Sequence, residues 1–126
     1  MEENKEKKKK KHKWILPGIT LRIVSKEYRD GRYFEELGDI NDIMDSRTFS
    51  FVTKKGEILE DLEEKDLETV MPKTGQRLII LKGPNRGTIG ILTERNKKEN
   101  TVLVKVETNS IDFIKMTQDD CSASSI

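Results

Sequence analysis

Apolar and polar residues alternate in short runs along most of this chain. After the turn signal Pro17-Gly18, Leu21 and Ile23 face one way and Thr20 and Arg22 the other. That is the period of a half-buried strand. A polar loop runs from Lys26 to Gly31, and Tyr33 and Phe34 lead into a second alternating run that carries Ile40 and Ile43. Thr48 to Thr53 is a third strand, rich in β-branched and aromatic residues. Lys55-Gly56 reads as a hairpin turn, because glycine accepts a positive φ. Ile58 and Leu59 start a fourth strand, and Glu63 to Asp66 suits one helical turn before the run Leu67 to Val70.

Pro72 closes that run, since proline cannot donate to a ladder. The pattern then restarts. Arg77 to Leu81 and Thr88 to Thr93 read as strands around a loop from Gly83 to Gly87. Asn96 to Asn100 is a polar turn, and Thr101 to Val106 sets Val102, Val104 and Val106 against Leu103 and Lys105. Ile111 to Met116 reads as the last strand. No helical stripe competes. Short strands with turn signals every few residues, twice over, predict an all-β protein of two small barrels or sandwiches. The divisions expected are a Lys-rich tail at 1–12, a first unit at 13–71, a second at 72–118 and a C-terminal tail at 119–126. Trp14 reads as a plug over the end of the first core in preference to a stacking platform.

Composition narrows the picture. Only 33% of the 126 residues are hydrophobic and 37% are charged, which argues against one large core. The net charge of +1 hides segregation. Residues 1–13 and 72–105 are strongly basic, whereas 57–71 holds seven acids and one lysine. A polyanion is drawn to the tail and the second half and repelled by the stretch between them. Lys7 to Lys11 are consecutive, and such a run favours a disordered tail that neutralises phosphates or serves as a nuclear-localisation signal or solubilising tail, roles that can coexist. The acidic run Glu57 to Glu68 is either a solvated edge or an internal partner for the basic second unit.

Catalysis is not expected. The single histidine, His12, sits in the tail, and one histidine and one cysteine, Cys121, cannot assemble a structural zinc site; no nucleophile constellation appears. No phosphate-cradling glycine loop followed by Lys-Ser/Thr appears, and no cofactor is implied. No apolar run approaches the roughly 20 residues of a membrane helix. One cysteine suits a reducing compartment such as cytosol or nucleus.

The strongest local signal is the run from Gly75 to Leu92. Gly83 and Gly87 allow sharp turning, Pro84 stiffens the loop, and Gly90 leaves room for close backbone approach. The run resembles the KOW motif, a strand–loop–strand unit that opens SH3-like barrels. Lys82, Asn85 and Arg86 would project from its loop toward phosphates or carboxylates. The resemblance widens to Lys13-Trp14-Ile15, Leu21 to Val24, Tyr28 to Tyr33, and Leu67-Glu68-Thr69-Val70-Met71-Pro72. Over roughly residues 13–118 the chain looks like the C-terminal region of the G-patch and KOW-domain (GPKOW-like) splicing proteins. The curved-DNA-binding Kin proteins are similar in second place, but their last strand has a longer glycine- and arginine-rich lead-in.

The first resemblance implies two tandem SH3-like barrels, a nuclear location, and RNA and spliceosomal proteins as partners of a monomeric chain. The family's G-patch engages a DEAH-box helicase. No counterpart of it appears in this sequence, so helicase stimulation is not carried over. Candidate RNA-contacting residues are Lys10, Lys11 and Lys13 in the tail and Lys26, Tyr28, Arg29 and Arg32 around the first loop. Lys82, Asn85 and Arg86 in the KOW loop and Arg95, Lys97 and Lys98 near the last hairpin complete the set. Bases stack on aromatic faces, and arginine pairs with phosphate. The plainer reading puts Tyr33 and Phe34 in the core and leaves the arginines solvated. A protein-docking scaffold without specific RNA binding is the alternative. A continuous positive face that joins Lys82, Arg86 and Lys98 to Tyr28 or Arg32 would favour RNA.

Overall fold

The computed structural model describes residues 14–44, 48–107 and 110–126. Lys10, Lys11 and Lys13, and the disorder expected of the tail, lie outside them. Ten strands form two five-stranded antiparallel sheets, and there is no α-helix among the described residues. The first sheet contains β1 (Thr20–Ile23), β2 (Leu37–Ile43), β3 (Phe49–Thr53), β4 (Ile58–Leu59) and β5 (Leu67–Thr69) in the order β4-β3-β2-β1-β5. The second contains β6 (Arg77–Ile80), β7 (Ile89–Asn96), β8 (Thr101–Glu107), β9 (Ile111–Thr117) and β10 (Cys121–Ala123) in the order β10-β6-β7-β8-β9. Each sheet wraps its own core, giving two small barrel-like units.

The alternations predicted from sequence set the facing. Leu21 and Ile23 are fully buried, as are Val102, Val104 and Val106 on β8. Gly90 stands where a Cβ would run into Val104 Cγ1 of the paired strand, so the close approach read from the motif is present. Gly83 and Gly87 hold φ of 87° and 90° in the loop between β6 and β7. Strand β7 runs on to Asn96, beyond Thr93, because its register slips between Leu92 and Glu94 against β8. A bulge of this kind bends a strand and lets it continue.

Two expectations need correction. Phe34 does not enter the core beside Tyr33; its ring is 36% exposed while Tyr33 is buried. Residues 119–126 are not a free tail. Gln118–Asp120 make one 3₁₀ turn, and Cys121–Ala123 then pair with Ile80, Ile79 and Leu78 of β6. Ile111–Thr117 is therefore the penultimate strand.

Strand β10 also joins the two units. Its free side meets the first sheet. The Ala123 N–H donates to Val70 O at 2.7 Å and the Ser125 N–H to Gly18 O at 2.8 Å. Ser122 is fully buried; its hydroxyl donates to Thr20 O at 2.6 Å and accepts from the Val70 N–H at 3.0 Å. Strand β6 is shared from its other side. Leu78 and Ile80 lie in the second core, and Ile79 and Leu81 in the first. Trp14 packs against the first core, half-buried, as expected of a plug.

Cys121 is buried in this joint, and burial, with Asp120 and Asp119 adding to it, pushes its thiol up to about 12. A raised thiol favours the neutral form in the fold. Stability present below pH 9 is thus lost as pH climbs toward 12. At pH 8 the native thiol should resist an aromatic disulfide reagent and react only on unfolding; rapid labelling of native protein would contradict this burial. Ser122→Ala orphans the Val70 N–H and removes a donor from Thr20 O, and should cost about 1–3 kcal/mol in urea denaturation. Because the cores share β6, unfolding should stay a single transition by Trp14 fluorescence and far-UV circular dichroism. Two separated transitions would show that the units are energetically independent.

Candidate nucleic-acid interface

The loop between β1 and β2 is built on unusual backbone. Arg29 and Asp30 hold φ of 50° and 59° in successive positions within the turn Tyr28–Gly31. Left-handed conformation is costly for non-glycine residues, and such strain gathers at functional sites. The Ser25 hydroxyl accepts from the N–H groups of Glu27 and Tyr28 and so anchors the entry. Tyr28 is held as well. Its hydroxyl donates to Glu60 O at 2.5 Å, its ring lies 6.3 Å from that of Tyr33, and burial raises its phenol above the ordinary value. Two cations stack on aromatic faces here: Arg29 over Tyr28 at 5.2 Å and Lys26 over Phe34 at 5.1 Å. Phe34 is thus a partly exposed aromatic residue whose ring carries the Lys26 ammonium over one face.

The KOW loop is more self-contained. The Arg86 guanidinium donates to Leu81 O, and Lys82 lies 3.7 Å from Asp120. Asn85 is half-buried and its carbonyl accepts from the Thr88 N–H. Two of the three side chains singled out there thus already have internal partners.

The β7–β8 hairpin differs. Arg95 donates from Nε and Nη2 to Gln118 Oε1 at 3.2 and 2.8 Å, so a neutral amide orients it and its charge is not cancelled. Lys97 and Lys98 lie exposed at the tip, and no carboxylate among the described residues lies within ion-pair distance of Arg95, Lys97 or Lys98. The same holds for Lys26, Arg29 and Arg32.

Three depressions involve Phe34 or the hairpin residues. One of about 430 Å³ is walled by Phe34, Val24 and Leu37 together with Arg22 and Glu68. A cleft of about 330 Å³ between the two sheets has Arg22 and Glu68 at one side and Arg95, Asn100 and Gln118 at the other. A third of about 610 Å³ follows the hairpin from Glu94 to Glu99 and includes Lys115. Arg22 and Glu68 line the first two and Arg95 the last two, so neighbouring depressions share wall residues. Their lining is mixed. Arg22 is paired with Glu68 at 2.9 Å, Lys115 sits 3.7 Å from Glu99, and Glu35 and Glu94 also contribute.

The structure sets Arg95, Lys97 and Lys98 together on the β7–β8 hairpin, puts Phe34 in the wall of a separate depression beneath Lys26, and leaves Arg86 bound to its own loop. Sequence reasoning missed Phe34 as an exposed ring, and Arg22, Gln118 and Lys115 as neighbours of the hairpin. Lys115 was signalled by the alternation of β9, which puts it opposite Leu103. Arg22 and Gln118 meet the cleft only through long-range packing. Several groups of the acidic stretch bond within the first unit. Glu64 accepts from the N–H groups of Trp14 and Ile15, Glu63 and Asp66 form a reciprocal capping box, and Glu57 accepts from the Tyr33 hydroxyl.

Comparison with known proteins agrees with this architecture. The G-patch domain and KOW motifs-containing protein of Mus musculus is 32% identical over 94 residues, 74% of this chain and 19% of that protein. The DNA/RNA-binding protein KIN17 of Mus musculus is 30% identical over 112 residues, 88% of this chain and 28% of that protein. Protein MOS2 of Arabidopsis thaliana is 28% identical over 99 residues, 78% of this chain and 21% of that protein. The chain thus spans between about a fifth and somewhat over a quarter of the length of these relatives. The model of the GPKOW C-terminal domain matches residues 19–123, and the chain belongs to that family.

Proposed function

We propose that this chain is an RNA-binding module of a nuclear pre-mRNA splicing factor. Single-stranded RNA would lie along these depressions from the Lys26–Phe34 loop, past Arg22 and Arg95, to Lys97 and Lys98. The observation that supports this reading is a series of neighbouring depressions that share wall residues, flanked by cations with no carboxylate partner among the described residues and by one exposed aromatic ring. Phosphates would meet Lys26, Arg29, Arg32, Arg95, Lys97 and Lys98, and a base would stack on Phe34. The lysines of residues 1–13, Lys10, Lys11 and Lys13 among them, would add sequence-independent attraction. Lys82, Asn85 and Arg86 would play a lesser part, since the loop already uses two of these groups. A relative carries the name DNA/RNA-binding protein, and the family's name joins G-patch and KOW domains; both support the reading. Residues 14–126 are net acidic, which favours a second reading in which the units dock spliceosomal proteins and only the tail attracts RNA.

The test is fluorescence anisotropy with labelled single-stranded RNA across a salt series, on residues 1–126 and on a chain starting at Lys13. Binding that survives removal of the tail is expected. Arg95→Ala with Lys98→Ala should then flatten the salt slope by about 0.7 for each phosphate left without its cation. Phe34→Ala should weaken binding by about 1–3 kcal/mol if one base stacks there. Arg86→Ala should leave affinity within about twofold and lower stability by about 1 kcal/mol. Binding that vanishes with the tail would favour the docking reading.

A further inference from the structure

Strand β9 is an edge of the second sheet, and its exposed side is apolar where edges are usually charged. Ile111 and Phe113 are 60% and 58% exposed, and Lys115 continues the same face. The hydrogen-bond phase of the β8–β9 ladder follows from one bond. The Gln118 N–H donates to Asn100 O at 3.0 Å across the pair Thr101↔Thr117, which makes that pair non-hydrogen-bonded. The register runs without a shift from there to Glu107↔Ile111, so the pairs at Lys115, Phe113 and Ile111 are also non-hydrogen-bonded. Their backbone N–H and C=O groups point away from β8. No backbone group among the described residues meets them. Three outward main-chain donor–acceptor pairs at every second residue match an extended peptide strand.

We infer that β9 receives an extended peptide by strand addition, running antiparallel, with an acidic residue opposite Lys115 and apolar residues opposite Phe113 and Ile111. The main-chain bonds supply affinity, and the side-chain pattern supplies choice. Lys105 of β8 lies opposite Phe113 and is paired with Glu107 at 3.1 Å, so Lys115 alone sets the charge preference of the edge. A second copy of this chain fits poorly. Two-fold pairing about Phe113 would set each Lys115 against the partner's Ile111.

The test uses the full 126-residue chain and the blocked peptide Thr-Asp-Thr-Val-Thr-Val-Thr, followed by amide NMR. Saturable shifts at Ile111, Phe113 and Lys115 are expected, with affinity about fivefold above that of the peptide bearing Lys for Asp. Phe113→Thr, which keeps β propensity, should weaken binding about tenfold. Lys115→Glu, conservative in exposure, should reverse the preference between the two peptides. The inference is overturned by equal affinity for both peptides, or by the absence of shifts at these amides. It is also overturned by concentration-dependent shifts without peptide, which would mark self-pairing, or by oligouridine shifting these amides when peptide does not.

Discussion

The fold hangs on a strand that has no exposed face. Leu78 and Ile80 of β6 fill one core while Ile79 and the following Leu81 fill the other. Strands buried on both faces read as unbroken apolar runs, and Leu78-Ile79-Ile80-Leu81 is such a run. The first barrel-like unit is not complete alone, since its core lacks Ile79 and Leu81 without β6 and the residue that follows it. The high charge content and small cores of this chain make each unit marginal alone, so sharing a strand is a physical solution to low apolar content. Strand β10 secures the joint by pairing with β6 on one side and bonding Gly18, Thr20 and Val70 on the other. A serine at Ser122 suits this position because its hydroxyl both donates and accepts, leaving neither neighbouring backbone group unpaired.

That joint places the cleft. Arg22 leaves β1 and Arg95 leaves the far part of β7, and only the fixed seating of one sheet on the other sets them on opposite sides of one cleft. The Thr69 hydroxyl donating to Gln118 O ties the same two walls together at 3.2 Å. Gln118 then serves both sides, since its side chain orients Arg95. The bulge that prolongs β7 is what carries Arg95, Lys97 and Lys98 out to this rim. Among the described residues Lys26, Arg29, Arg32, Arg95, Lys97 and Lys98 have no carboxylate within ion-pair distance, while others, such as Arg22, Lys54 and Lys82, are paired internally.

Much of the fold was legible because period-2 alternation is a local signal. The strands at Leu21, Phe51 and Val104, the turn at Gly56 and the close approach at Gly90 all follow from neighbours in the sequence. Strand β10 was not legible. Cys121-Ser122-Ala123 is short, small and without β-branched residues, and its pairing partner lies far back in the chain. The exposure of Phe34 was hidden because an aromatic pair before a strand ordinarily enters the core, and here only Tyr33 does. The candidate cations were visible as residue types, but whether each carries an internal partner depends on tertiary structure. Arg86, bonded to Leu81 O, and Arg95, bonded to a neutral amide, look alike in sequence.

The central claim is that the neighbouring depressions across both sheets carry RNA. Photo-crosslinking of thiouridine-labelled single-stranded RNA to the full chain, mapped by mass spectrometry, addresses it most directly. Adducts at Phe34 or its loop together with adducts at the Lys97–Lys98 tip are the predicted result. Adducts confined to residues 1–13, or gathered on the loop from Gly83 to Gly87, would contradict it.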